Sequence, residues 1–453
     1  MTMNKIVFGD NRITMKQLID EGVKVQMCVT SPPYYGLRDY GTGTWEGGDP
    51  NCSHKRDSKT SDKCITGHVN LEGAVGDGIY KDVCPRCNAK RKDLQIGLEQ
   101  TPEDYIREMV NVFRLVKDLL TDDGVIWVNI GDSYSSYKDC KSIGQTLAKG
   151  TNREDAHVLD KGSSPTRNTK MLKSQGLKNK DLIGIPWMLA FALRADGWYL
   201  RQDIIWHKPN PMPESVTDRC TKAHEYIFLL SKSDKYFFDN EAIKEPATTT
   251  DNTNRNRDES RLNNTPGRTR MAGLKTNHYI TKNKRSVWTV TTKPYKGAHF
   301  ATFPKDLIEP CIKAGTSEIG HCPVCNARWK RIKIDTGERH NVEIYKGNAV
   351  KDYEDASVQN PSDTKRRVLE SMSKIYKHEW VPTCECKEKP VADIVFDPFM
   401  GSGTTAQVAL ELGRQYLGCE LNPNYEALQQ ERINSATPQL EDDSQFDLFK
   451  ETA

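Results

Sequence analysis

Val25-Gln26-Met27-Cys28-Val29 runs directly into Thr30-Ser31-Pro32-Pro33-Tyr34. The apolar residues predict a buried strand, and the two prolines end it in a rigid turn. Open α/β sheets bind ligands at the carboxyl ends of their strands. The turn presents the Ser31 hydroxyl and the Ser31 and Pro32 carbonyls as acceptors beside the flat Tyr34 ring. This suits a planar substrate with an exocyclic amine, such as cytosine or adenine, although a turn without chemical importance has the same pattern.

The composition is that of an ordinary globular chain. The 453 residues are enough for one large elaborated domain or about three domains. An apolar content of 36% and a mean hydropathy of −0.70, with no membrane-length apolar run and no charged-then-apolar leader, predict a cytoplasmic protein with no membrane partner. The net charge of +3 says little, but residues 251–296 carry eleven Lys or Arg against three acids and are suited to facing phosphates.

Alternating strand and helix patterns predict an α/β fold around the opening stretch. Lys5–Phe8, a helix from about Thr14 to Glu21 and the strand before Ser31 form a βαβ unit. The other predicted core elements are helices from Thr101 to about Leu120, Pro186 to Asp196 and Lys305 to Ala314, and strands Val125–Ile130, Tyr199–Trp206 and Glu225–Leu230.

A second informative stretch lies near the end of the chain. Strand Ile394–Phe396 leads into the glycine turn Asp397–Gly403, then into a helix from Thr404 to Leu412 and a strand ending at Glu420. A glycine turn between strand and helix lets a ligand approach the backbone, and an acid about 20 residues on is suited to a ribose hydroxyl pair. The third glycine of the dinucleotide fingerprint is missing, which favours an adenosine ligand without a pyrophosphate.

The thirteen cysteines include two groups with metal-ligand spacing. Each contains a Cys-x-x-Cys pair that is typical of structural zinc sites, so metal binding is favoured over disulfides. Cys64 and His68 are competing ligands for the first group, and scattered free thiols are the alternative. The predicted zinc ligands are Cys52, His54, Cys84 and Cys87 for one ion and Cys322, Cys325, Cys384 and Cys386 for a second.

These motifs together resemble the amino-methylating DNA methyltransferases that use S-adenosylmethionine. Ser31-Pro32-Pro33-Tyr34 resembles their catalytic tetrapeptide, and its position before the cofactor loop resembles the permuted β-type order of the family. The resemblance implies a doubly wound, Rossmann-like methyltransferase sheet and a bacterial or phage origin. The cofactor-binding residues that it implies are Asp10, Phe303, Asp397, Phe399, Gly401, Gly403, Thr404, Thr405, Glu420 and Asn422.

The domain organisation that follows is one methyltransferase core over residues 1–435 with insertions and a flexible acidic tail at 436–453. The insertions are a zinc-binding segment at 46–92, a mobile loop at 133–180, a basic target-recognition region at 246–296 and a zinc-stapled segment at 321–386. For the basic region, a solvated linker is the alternative.

The leading functional prediction is methylation of the N4 amine of a flipped-out cytosine in double-stranded DNA. Hydrogen bonds from the amine to Ser31 and the Pro32 carbonyl free its lone pair, and no cysteine stands at the turn for ring-carbon chemistry. Serine at the first position resembles the cytosine subgroup more than the adenine enzymes. N6-adenine methylation is the alternative, and an inert zinc-stapled nucleic-acid-binding module is a second one.

The tail suggests a further partner. Gln445-Phe446-Asp447-Leu448-Phe449 lies in an acidic segment and resembles the short motif with which bacterial replication proteins bind the sliding clamp. The alternative is that Phe446 and Phe449 fold back onto the core. The sequence does not predict an oligomeric state.

Overall fold

The structure is a computed structural model. It describes residues 3–36, 42–52, 54, 83–84, 86–99, 101–135, 177–178, 180–211, 213–246, 281–292, 303–339 and 374–436. Most of the predicted loop 133–180 and of the basic region 246–296 lies outside these ranges, as do Cys64, His68 and the motif Gln445–Phe449. What the sequence indicates for them stays a prediction.

Two compact units make up the chain. Unit 1 comprises Met1–Phe237, Ser286–Glu318 and Ala392–Ala453, and unit 2 comprises Phe238–Arg285 and Ile319–Val391. Across the described ranges, no helix combines the length and the apolar character that crossing a membrane requires.

The elements of unit 1 alternate between strands and helices. The helices are α1 (Asn11–Asp20), α2 (Pro102–Leu119), α3 (Ile185–Ala195), α4 (Lys305–Gly315), α5 (Thr404–Glu411) and α6 (Glu426–Ser435). The strands are β1 (Lys5–Phe8), β2 (Val25–Thr30), β3 (Thr44–Glu46), β4 (Lys90–Lys92), β5 (Leu120–Ile130), β6 (Tyr199–His207), β7 (His224–Ser231), β10 (Val287–Thr289), β13 (Ile394–Asp397) and β14 (Gln415–Glu420). The strands between them in the chain, β8 (Glu245–Pro246), β9 (Thr281–Lys282), β11 (Lys330–Arg339) and β12 (Lys374–Val381), fall in unit 2.

One eight-stranded sheet forms the centre of unit 1, in the order β1-β14-β13-β2-β5-β7-β6-β10. In this order, the first five strands are parallel to one another. Strand β7 is antiparallel to both β5 and β6, so the sheet is mixed. The strand that precedes the predicted catalytic turn, Ser31–Tyr34, lies beside the strand that precedes the glycine turn, with Met27 paired to Val395 and Cys28 to Phe396. Their carboxyl ends therefore meet at one edge.

Helices cover both faces of this sheet, as the predicted doubly wound α/β fold requires. On one face the Thr14 hydroxyl of α1 lies 3.2 Å from the Cys419 thiol of β14. On the other, a Cβ added to Gly315 of α4 would lie 3.1 Å from the Met27 sulfur and 3.2 Å from Val125. Because side chains alternate along a strand, Met27 points away from the face of Cys28, which belongs with α1 and α2 to the main apolar core.

Most helix and strand boundaries lie within two residues of the prediction, and the larger differences have local causes. Helix α1 begins at Asn11 rather than near Thr14, because the Asp10 carboxylate accepts from the Arg12 amide and caps it. Helix α2 has the predicted cap, with Asp104 N donating to the Thr101 hydroxyl at 3.0 Å. Strand β5 begins five residues before Val125, since Leu120 pairs with Val25 across an irregularity in the ladder.

The carboxyl end of the predicted basic region contains a strand that the sequence pattern did not indicate. Val287–Thr289 forms β10 and pairs in parallel with β6 at the edge of the sheet. Trp288 is buried there, with its ring centroid 6.2 Å from that of Trp127. A single tryptophan thus anchors the edge strand to the core.

Unit 2 is built on small antiparallel pairs. Strands β11 (Lys330–Arg339) and β12 (Lys374–Val381) form one, and β8 (Glu245–Pro246) and β9 (Thr281–Lys282) form another. Arg331 joins the first pair to the chain before β8, because its guanidinium bonds Asp239 at 3.0 Å while lying 4.5 Å from the Trp380 ring. The second range of unit 2, Ile319–Val391, includes the whole of the predicted insertion at 321–386.

Candidate active site

A cavity of about 850 Å³ lies at the carboxyl ends of β1, β2, β5, β13 and β14. This volume is in the range of small-molecule and cofactor sites. Both motifs that the sequence singled out contribute to its wall, Ser31–Tyr34 from one side and residues of the glycine turn from the other. The structure therefore brings together two segments that are far apart in the sequence. Thr30 and Asp397, which form a hydrogen bond between them, are separated by 367 positions.

The catalytic turn presents a restricted set of acceptors to the cavity. Ser31, Pro32, Pro33 and Tyr34 all line it. The Pro33 carbonyl already accepts from the Tyr105 hydroxyl of α2 at 2.9 Å. The Ser31 hydroxyl and the Ser31 and Pro32 carbonyls remain as the acceptors to consider for a substrate amine.

Tyr34 is held by a polar group that the sequence analysis missed. Its hydroxyl donates to Glu225 Oε2 at 2.7 Å, and Glu225 also pairs with Lys208. Burial, with the nearby Glu225 carboxylate, raises the pKa of Tyr34 well above its ordinary value, so the phenol stays protonated. A Cβ on Gly131 would lie 2.7 Å from the ring, which explains why a glycine stands there.

The glycine turn is held by buried polar contacts behind the cavity wall. Asp397 accepts from the hydroxyls of Thr30 at 2.6 Å and Thr405 at 2.7 Å and from the Phe399 amide at 3.0 Å. Burial raises the pKa of Asp397 to about 6, although these three donors lower it. Gly403 precedes α5 with a φ of 86°, and a Cβ there would lie 3.2 Å from Gln429.

The predicted cofactor residues therefore fall into two groups. Asp397, Gly403 and Thr405 do not line the cavity and act on the turn from behind it. Those that line it are Asp10, Phe303, Phe399, Gly401, Thr404, Glu420 and Asn422. The Asp10 carboxylate is also bound by Arg12, at 2.7 Å from its guanidinium.

Two polar groups at the glycine-turn end fit a nucleoside ligand. The Glu420 carboxylate accepts from the Gly401 and Asn422 amides at 2.7 and 2.8 Å, and burial raises its pKa to about 7. Ser402 also lines this cavity, and its hydroxyl is buried and has no hydrogen-bond partner among the described residues. A ligand that donates a hydrogen bond to the Glu420 carboxylate and offers a polar partner to the Ser402 hydroxyl would satisfy both side chains. The residues present therefore fit an adenosine-type cofactor.

Each predicted zinc ligand set is brought together. The ligand atoms of Cys52, His54, Cys84 and Cys87 all lie within 4.8 Å of one another, with Cys52 and Cys84 sulfurs 3.8 Å apart. The same holds for the second set, where the Cys325 and Cys386 sulfurs are 3.6 Å apart. Tetrahedral Zn–S bonds of about 2.3 Å imply sulfur separations of roughly 3.8 Å, so both groups have the spacing of a four-coordinate site.

A repeated hexapeptide underlies both groups and could have strengthened the prediction. Cys-Pro-x-Cys-Asn-Ala occurs at 84–89 and at 322–327. In each copy the asparagine has a positive φ, 59° at Asn88 and 60° at Asn326. Its backbone N–H donates to the backbone carbonyl of the first cysteine at 2.9 Å. Asparagine tolerates this left-handed conformation, which folds the two thiols toward one point.

Comparison with known proteins identifies the family of this chain. The family model described as DNA methylase, that of the N6 and N4 methyltransferases, matches residues 25–322 and 325–431. Type II methyltransferase M.SmaI of Serratia marcescens is 33% identical over 95% of this chain and 90% of its own length, and M.Cfr9I of Citrobacter freundii is 32% identical over 92% and 84%. Among solved structures, the cytosine-N4-specific PvuII DNA methyltransferase matches with a TM-score of 0.42 and 14% identity, covering 98% of this chain and 90% of that one. Because the family model matches most of the chain and relatives of 32–33% identity are matched over 84–90% of their own length, this chain belongs to the N6/N4 DNA methylase family and is an S-adenosylmethionine-dependent DNA methyltransferase.

Proposed function

We propose that the enzyme methylates the N4 amine of cytosine in double-stranded DNA. The observation that carries this proposal is the Ser31–Tyr34 turn on the wall of the cavity that the glycine turn also lines. Serine at the first position of the tetrapeptide favours cytosine over adenine. The intact cavity and the family argue against an inert binding module.

The turn activates the amine through its two acceptors. An exocyclic amine is a poor nucleophile because its lone pair is delocalised into the ring. The Ser31 hydroxyl and the Pro32 carbonyl accept the two N–H groups, which favours a pyramidal nitrogen with its lone pair directed at the methyl donor. The Pro33 carbonyl does not compete for the amine hydrogens, since the Tyr105 hydroxyl already donates to it.

The target base reaches this turn only after it leaves the DNA stack. Tyr34 then offers its ring for stacking, and the hydrogen bond to Glu225 keeps the ring in place. Gly131 permits the close approach of strand β5 to that ring. The stacking surface is therefore prepared before the base arrives.

S-adenosylmethionine, when bound, supplies the electrophilic methyl group. Glu420 is the residue to accept the ribose hydroxyls, Ser402 is a polar partner for the same ligand, and Phe303 and Asp10 complete the wall around it. Asp397 and Thr405 hold the turn in shape from behind.

We also assign a structural zinc ion to each of the two ligand sets. Three thiolates with one imidazole, and four thiolates, are donor sets that zinc prefers in closed structural sites. Their spacing and the two matching backbone turns support this assignment.

The direct test of the proposed reaction is mass spectrometry of nucleosides from unmodified DNA treated with the protein and isotope-labelled cofactor. We expect labelled N4-methylcytosine. Labelled N6-methyladenine would instead establish the alternative base, and the absence of any label under conditions of measured cofactor binding would contradict both.

A further inference from the structure

One wall of the active-site cavity is built by the segment that follows the first metal group. Leu94, Gln95 and Ile96, which follow strand β4, line the cavity together with Thr42, which precedes strand β3. The hairpin consists of β3 and β4, which pair from Thr44 to Lys92 through Glu46 to Lys90. The zinc ligands Cys84 and Cys87 thus precede strand β4, and the cavity-lining residues 94–96 follow it. One short segment therefore connects the proposed zinc site to the cavity wall.

The wall touches the catalytic turn without spare room. The Gly36 amide donates to the Gly97 carbonyl at 2.8 Å. A Cβ on Gly97 would lie 3.1 Å from the Tyr34 carbonyl oxygen and 3.4 Å from the Pro33 side chain. A shift of residues 94–97 therefore moves the surface against which Pro33 and Tyr34 are placed.

At its other end the wall is tied to the metal ligands. A Cβ on Gly48 would lie 2.7 Å from the Cys87 carbonyl oxygen, and the Trp45 ring stacks on the ligand His54 with centroids 4.6 Å apart. Asp93 accepts from Arg91 at 2.6 Å and from the Thr42 hydroxyl at 3.1 Å, which fixes the chain as it leaves β4.

This hairpin has little apolar packing of its own. None of residues 42–52 is buried, and within the described stretch 86–94 only Ala89 is. Two three-residue strands are too short to be stable alone in water. The ligands His54 and Cys84 lie thirty positions apart in the sequence, so bringing them together also costs loop entropy. The free energy of metal binding would offset both the instability of the short hairpin and the entropy lost on closing this loop.

We propose that the metal held by Cys52, His54, Cys84 and Cys87 braces the active site. It holds the β3–β4 hairpin so that residues 94–97 stay packed against Pro33 and Tyr34 and keep the cavity shaped for the target base. The second metal site, in unit 2, has no such role. This inference rests on the proposed zinc sites but not on which base is methylated.

The test compares full-length Cys87→Ser with the matched variant Cys325→Ser, which removes one ligand from the second site. The measurements are zinc per chain by elemental analysis, hydrogen exchange of the peptide containing the Gly36 amide, cofactor affinity by calorimetry, and total methyl transfer to unmodified duplex DNA. We expect Cys87→Ser to lose about one zinc and to exchange faster at Gly36. Its kcat/KM for DNA should fall at least about tenfold through misplacement of the turn, while cofactor Kd changes less than about twofold.

Cys325→Ser should also lose about one zinc but keep the exchange protection of Gly36. Unchanged exchange and turnover in Cys87→Ser, or equal loss of Gly36 protection in the two variants, would overturn the brace. So would a wild-type protein without zinc, which would leave the methyltransferase assignment intact. If Cys87→Ser does not fold, a chelator removes the remaining zinc from Cys325→Ser, and Gly36 protection should disappear and return on adding zinc. No response to removal overturns the proposal.

Discussion

The Thr30 hydroxyl donates to Asp397 Oδ1 at 2.6 Å and so joins the end of the strand before the catalytic turn to the end of the strand before the glycine turn. Both groups are buried, and Asp397 accepts from Thr405 and the Phe399 amide as well. One carboxylate therefore links the proposed base end and the proposed cofactor end of the cavity. Because it lies behind the wall, it does so without contacting a ligand.

Removing that link should destabilise the fold more than an ordinary hydroxyl deletion. Thr30→Val keeps the shape but takes a donor from a buried carboxylate, which costs about 2 kcal/mol of unfolding free energy. The matched control is Thr14→Val, whose buried hydroxyl lies 3.2 Å from the uncharged Cys419 thiol and should cost about 1 kcal/mol or less. Urea unfolding measures both, and equal losses would show that the carboxylate contact has no special weight.

The catalytic turn should matter for methyl transfer and not for cofactor binding. Ser31→Ala removes an acceptor for the amine and Tyr34→Ala removes the stacking ring, so each should lower kcat about 100-fold. Cofactor Kd should change less than about twofold, because both residues lie at the base end. Tyr34→Phe keeps the ring and loses the hydrogen bonds of the hydroxyl, chiefly the one to Glu225, and it should retain more activity than Tyr34→Ala. Full turnover in Ser31→Ala would remove that residue from the mechanism.

Glu420 should make cofactor affinity depend on pH. Burial raises its pKa to about 7 in the free protein, so the carboxylate is ionised above that pH and increasingly protonated below it. An ionised acceptor binds ribose hydroxyls more strongly, so affinity should fall as the pH is lowered from 8 to 6. Calorimetry at several pH values measures this.

The control for that experiment is Glu420→Gln, which keeps the shape and loses the charge. It should bind the cofactor about 10- to 100-fold more weakly at pH 8, corresponding to about 1.5–3 kcal/mol, and lose most of the pH dependence. A variant with wild-type affinity and pH profile would place the ribose elsewhere.

Gly131 should be intolerant of a methyl group because of Tyr34. A Cβ there would lie 2.7 Å from the ring, and the φ of Gly131 is not in the left-handed range, so the clash is the main effect of Gly131→Ala. The ring must move, and we expect turnover to fall about tenfold or more with cofactor affinity retained. Gly413→Ala has a strained φ of 71° with open space around it, so it should lose stability but keep turnover. Similar activity in both variants would contradict the need for a fixed ring.

Elemental analysis of the purified chain should find two zinc ions. Each Cys→Ser change within a ligand set should remove about one of them, because a closed structural site needs all four donors. Cys220→Ser is the control, since that exposed cysteine belongs to neither set and should leave the zinc content unchanged. Less than one metal per chain in the wild type would exclude both sites.

Local patterns were sufficient for much of this molecule. Two prolines after an apolar run, a glycine turn between strand and helix, and paired Cys-x-x-Cys motifs each depend on neighbouring residues, so order and spacing were enough to single them out. For the same reason the elements of the main sheet lie mostly where periodicity places them. The edge strand Val287–Thr289 was not predicted, because three residues are too few to show the alternation that identifies a strand.

The arrangement across the sheet was decided only by tertiary structure. Strand order makes β2 and β13 neighbours, which places Thr30 on Asp397 and turns Asp397, Gly403 and Thr405 into supports behind the cavity instead of parts of its wall. It also brings Glu225 to Tyr34 and Tyr105 to Pro33, pairs whose members are 191 and 72 residues apart. No local pattern encodes such contacts, because they arise from the packing of distant strands and helices on one core, whereas the residues proposed to perform the chemistry were predicted from their own neighbours in the sequence.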